Sequence, residues 1–200
     1  MVSVDEAKAA VVAARAAAVE AQQVFLQALA EQWRDLASQK FRALALDLQP
    51  ERSEALGDRL AEVRAAVDRV IDEGADRVPD LFARATDPDL LVSQVQDRKY
   101  GMGHISFSFA GYHGPIDLLA QPLHDVLTDS KYSPDLVKSK SPKANYSSEG
   151  FTDSDFPLPS VEIQSTYAEK IHGYGKARFA LAVAQKEAAA EAAKKLWDGS

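Results

Sequence analysis

Hydrophobic positions at the start of the chain recur in helical steps. Val4, Ala7, Val11, Ala14, Ala18 and Ala21 follow one another at spacings of three and four, an apolar stripe along one side of a helix. Residues 3 to 48 contain neither Gly nor Pro, and Ser3 with Glu6 three positions on forms a capping box ahead of the stripe. The pattern predicts one helix from Ser3 to about Leu48, ended by Gln49-Pro50, where proline removes a backbone donor. Pro50 suits the first position of a second helix, predicted over about 51–74, in which Leu56, Leu60, Val63, Val67 and Val70 recur as a coiled-coil seam. So short a connection folds the second helix back antiparallel on the first.

The two halves of the first helix differ in bulk. Phe25, Leu26, Leu29, Trp33, Leu36, Phe41, Leu44 and Leu48 fill the later half, within reach of the second helix, while the earlier half is the flat stripe. Alanine buries little area, and such a face alone has too little bulk to order a long helix. Another helix must cover it. One candidate is the second alanine-rich run, 177–193, in which nine of seventeen residues are Ala; a neighbouring chain is the other. Val4, Ala7, Val11, Ala14, Ala18 and Ala21 are therefore the candidate interface residues.

Further along, Asp87-Pro88 predicts the start of a short helix reaching about Lys99, with Leu90, Leu91 and Val95 as its apolar side. Residues 100–159 are dense in Pro and Gly and read as an irregular α+β head. There Ile105, Phe107 and Phe109 alternate with His104, Ser106 and Ser108 as a half-buried strand, Pro122 interrupts a short helix from Ile116 to Val126, and 129–156 form a flexible loop. Helical character returns from Ser160 to Trp197, with Val161, Thr166, Tyr167, Ile171, Tyr174, Arg178, Leu181 and Gln185 along a loose seam. Its weakest point is near Gly173 and Gly175. The expected fold is mainly α: an elongated helical hairpin or bundle with coiled-coil character, built from 1–99 and 160–200, with 100–159 inserted as the head.

Composition alters this picture in few respects. With 46% apolar and 26% charged residues the chain is globular rather than disordered, although 14 alanines among the first 48 residues make the apolar share overstate the core. The lack of cysteine excludes disulfides, thiolate nucleophiles and Cys-ligated zinc. A net charge of −7 argues against sequence-independent nucleic-acid binding. No run of eighteen residues is free of charge and no basic n-region precedes an apolar core. That pattern speaks against a membrane span and a signal peptide, and makes a cytoplasmic or otherwise intracellular site the default, a virion or secretion machine included.

Candidate chemistry is sparse. His104, His113 and His124 fall within 21 residues of one another beside Asp117, which allows a metal-dependent or hydrolase-like site in the 100–128 head. Their spacing matches no helical ligand pattern, and ordinary polar roles explain them as well. Gly101-Met102-Gly103 precedes the predicted strand instead of linking a strand to a helix, and the serines lack a G-x-S-x-G elbow. Lys131, Lys138, Lys140 and Lys143 could form an anion-contacting arm, but Asp129 and Asp135 dilute their field. No cofactor is called for. The function expected is that of a non-enzymatic structural or interaction protein, a scaffold, adaptor or subunit of a larger particle such as a phage or secretion machine. Its partners bind through the helices and can include a second copy.

A helix of about 45 residues would run roughly 68 Å, against roughly 40–45 Å for a compact 200-residue globule. X-ray scattering of the monomer is therefore expected to report an elongated particle, and a profile fitted by a sphere would overturn the expectation.

Overall fold

The computed structural model describes residues 2–42, 54, 57–96, 105, 107 and 158–198. The protein is mainly helical, with helices α1 (Val4–Arg42), α2 (Leu60–Ala83), α3 (Pro88–Gln96) and α4 (Val161–Asp198). By contact density the chain divides into two compact units. One comprises Met1–Phe25, Ala83–Phe107 and Ser160–Ser200, the other Leu26–Phe82 and Ser108–Pro159. The predicted end of the first helix, the Pro50 connection and nearly all of the head lie outside the described residues.

Helix α1 starts where its capping box requires. Ser3 N–H and Oγ both donate to Glu6 Oε2 at 2.9 Å, and Glu6 N–H donates back to Ser3 Oγ at 3.2 Å. From there the helix continues unbroken for 39 residues, about 58 Å at 1.5 Å per residue. By length and composition alone α1 could cross a membrane. This corrects the expectation that no such helix exists, because a window rich in alanine and valine tolerates a few charges where a charge-free criterion does not.

In the second unit α1 contributes Leu26, Leu29, Ala30, Trp33 and Ala37 to the core, and α2 contributes Val63, Val67, Ile71, Gly74, Ala75, Val78 and Phe82. Arg34 joins the two helices: Nη2 donates to Asp76 Oδ1 at 3.2 Å, and Nε lies 2.9 Å from Asp72 Oδ1, too oblique for a hydrogen bond. The α2 stripe departs from the predicted heptad. Val63, Val67 and Ile71 repeat eleven residues later as Gly74, Val78 and Phe82, so the seam moves to Ile71 and leaves Val70 half-buried. An 11-residue repeat, about 3.67 residues per turn, lies close to the natural helical period and needs little supercoiling.

With Glu54 helical inside the predicted start, helix α2 runs well past its predicted end. It begins after a 3₁₀ turn at Gly57–Arg59, in which Gly57 takes a left-handed φ of 50°, and it runs past Gly74 to Ala83 with Pro79 inside. Gly74 is buried, so its missing side chain leaves room for packing that offsets its poor helix propensity. Pro79 forfeits one intrahelical bond. Helix α3 follows the sequence closely at its start: Asp87 Oδ1 accepts from the N–H groups of Asp89 (2.7 Å) and Leu90 (3.1 Å), with Pro88 first in the helix. Pro88 and Val92 are buried and Leu91 half-buried, whereas Leu90, predicted to face inward, is exposed.

Helix α4 spans 38 residues without a break at Gly173 or Gly175. Ser160 caps it, accepting at Oγ from Ile163 N–H (3.4 Å) and at its carbonyl from Gln164 N–H (3.0 Å). Of the predicted seam, Tyr167, Ile171 and Tyr174 are buried, while Val161, Thr166 and Gln185 are exposed. No strand occurs among the described residues. Ile105 and Phe107 are not in strand geometry; Ile105 is buried and Phe107 packs on Phe25 and Tyr167, while the rest of the predicted strand lies outside the described residues.

Trp33 is the largest side chain buried in the second unit. Trp33→Ala is expected to cost about 3–5 kcal/mol of stability in urea denaturation, against about 0.5 kcal/mol or less for Gln23→Ala at an exposed position of α1.

Candidate functional site

Of the interface residues read from the sequence, Ala7 and Ala18 are buried, and Val4, Val11, Ala14 and Ala21 are half-buried. The low relief of alanine lets large side chains from α4 and the 105–107 segment pack beside α1. Phe25, one turn beyond the stripe, meets Tyr167 at 5.5 Å between ring centroids and Phe107 at 4.6 Å, while Phe107 stacks on Tyr167 at 5.3 Å. Helix α3 also packs on α4.

Two polar clusters lock this unit. At the first, the α2–α3 turn, whose Thr86 is buried, draws donors from both long helices. Gln22 Nε2 donates to Ala83 O (2.9 Å) and Thr86 Oγ1 (3.1 Å), and the Tyr167 hydroxyl donates to Thr86 O. Thr86 is wholly buried, so its carbonyl would carry a desolvation cost without that hydroxyl. Burial, then the charge of Asp87, pushes Tyr167 ionisation far above the ordinary phenol range, which keeps the hydroxyl a donor.

At the second cluster, Asp89 of α3 accepts from both α1 and α4. Arg15 reaches Oδ2 through Nε (3.0 Å) and Nη2 (2.8 Å), the Tyr174 hydroxyl reaches Oδ1 (2.5 Å), and the Arg178 guanidinium lies 5.7 Å from the Tyr174 ring centroid. Hydrogen bonds from Arg15 first and Tyr174 second hold the Asp89 carboxyl below its usual range. Burial, then the bond to Asp89, raises the Tyr174 phenol. Contacts along α1 and α4 run in opposite directions, Phe25 with Tyr167 and Arg15 beside Tyr174, so the two helices are antiparallel here.

These clusters act as positioning devices, because Gln22, Tyr167, Arg15 and Tyr174 each reach an acceptor on another element. Among the described residues no group of three or more His, Asp or Glu could hold a metal. His104, His113, His124 and Asp117 lie outside the described residues. Periodicity placed Tyr167, Tyr174 and Arg178 on one seam but gave no sign of their partners Thr86 and Asp89. Gln22 and Arg15 carried no signal beyond being polar residues in an alanine-rich helix. No protein family, characterised protein or solved structure matches the chain.

The Asp89 shift has a definite sign. A carboxyl depressed in the folded state stabilises above its unfolded pKa, about 3.9, and that stability is lost as pH falls through the lower folded value. Asp89→Asn is expected to lower the melting temperature at pH 7 and to narrow the gap between pH 7 and pH 3, as read by thermal denaturation; an unchanged gap would deny Asp89 this role.

Proposed function

We propose that this is a non-enzymatic structural or interaction protein that assembles through its long helices, as a scaffold, adaptor or subunit of a larger intracellular particle. In this reading α1 and α2 form an antiparallel hairpin, α4 packs along the alanine face, and residues 100–159 are an irregular head. The order of contacts along α1, Gln22 with Ala83 and Arg34 with Asp72 and Asp76, supports the hairpin.

The observation that carries the reading is where the exposed bulk lies. Val12 and Val24 on α1 and Phe179 and Val183 on α4 are exposed. Large apolar residues on the outer sides of long helices mark surfaces that another chain can cover. Sedimentation from nanomolar to tens of micromolar is expected to show a mass that rises with concentration, or a stable complex when a cell extract is added. Monomeric mass throughout, with no complex, would overturn the proposal.

A further inference from the structure

Helix α4 carries two apolar stripes. Tyr167, Ile171, Tyr174 and Ala184 are buried, whereas Phe179 is 70% and Val183 38% exposed. At about 100° per residue, Phe179, Val183 and Ala190 lie roughly 140–180° around the helix from Tyr174, on the side away from the unit's core, with the polar Ser165 and His172 on the same side nearer the N-terminus. One edge of this outer stripe bears Glu169, Lys176, Glu187 and Lys194, all exposed. By the same reckoning they stand at roughly 200–220°. The opposite edge is low, with Ala182 and Ala193, and Lys186 is its charged residue; the lysine stem can lie over an aromatic ring while its head reaches water.

The charges along the first edge have a symmetry of their own. They read acid, base, acid, base, and they are placed symmetrically about the midpoint between Leu181 and Ala182. A two-fold axis through that midpoint brings Glu169 opposite the partner subunit's Lys194 and Lys176 opposite the partner subunit's Glu187. The reciprocal pairs follow from the symmetry. Phe179 and Val183 flank the axis and fill the centre. In an antiparallel helix pair the same edge of each helix meets, so all four charges find opposite charges; a parallel pair places the two charged edges on opposite sides, where they do not meet.

We propose that the outer face of α4 is a homodimer interface, occupied by α4 of a second copy in antiparallel register centred between residues 181 and 182. The proposal rests on the assembly reading and adds the face, the partner and the register. One helix pair is a small interface, so association in the micromolar range is expected.

The chain has no cysteine, which makes engineered pairs unambiguous. Lys176 and Glu187 are about 16.5 Å apart along one helix, far beyond the roughly 7 Å that a disulfide spans between Cα atoms. Lys176→Cys/Glu187→Cys is therefore expected to give a covalent dimer on mild oxidation at 50 µM, while each single variant stays monomeric on a non-reducing gel. In sedimentation, Glu169→Lys/Glu187→Lys should weaken dimerisation at least tenfold with an unchanged circular dichroism spectrum. Adding Lys176→Glu and Lys194→Glu should restore it. The proposal is overturned if the double-cysteine variant gives no covalent dimer, if the single variants cross-link equally, or if charge reversal leaves the association unchanged. A chain that still associates with itself or with another protein under those results would leave the assembly reading standing without this interface.

Discussion

A buried carbonyl must find its donor inside the protein, and that of Thr86, in the turn between α2 and α3, takes one from the Tyr167 hydroxyl while Gln22 joins the same turn from the other long helix. Gln22 and Tyr167 both converge on the Ala83–Thr86 segment. Because Thr86 is fully buried, solvent does not stand in for the Tyr167 hydroxyl on its carbonyl, whereas the Gln22 bonds lie nearer the surface; together they tie both long helices to the turn. The Asp89 cluster repeats the arrangement one turn into α3, at the surface rather than in the interior. Helix α3, only nine residues long, thus sets the register of α1 and α4, each about four times its length.

The alanine face of α1 takes its meaning from this constraint. A stripe of larger residues would hold the neighbouring helix farther away and lift Tyr167 and Tyr174 from their acceptors. Small residues along the stripe and one aromatic, Phe25, at its end let polar contacts decide where α4 sits. Packing supplies contact area there, while the two clusters supply specificity.

Local chemistry was the most legible part of the sequence. Caps at Ser3, Asp87 and Ser160 depend only on residues within four positions, and all three start helices. Periodicity located Val63 and Val67 but slipped at Val70, because a heptad template drifts against a helix whose burial repeats every eleven residues. The second helix runs past its predicted end near 74, through the buried Gly74, because burial offsets a poor local propensity that spacing alone does not reveal. The inward direction of Ile105 and Phe107 was readable from alternation, but what covers them was not, since helices and a partner strand demand the same pattern. Contacts such as Arg15 with Asp89, 74 residues apart, leave no trace in the spacing of either segment.

Helix α1 gives its first turns to one compact unit and the remainder to the other, without a break between Phe25 and Leu26. Interrupting a helix at an internal point exposes backbone groups on both sides and requires two new ends, so fraying does not stop cheaply at the boundary. The shared rod therefore couples the two cores thermodynamically. For α1 itself, opening is cheapest at its two ends and dearest in the middle, where the chain passes from one unit to the other.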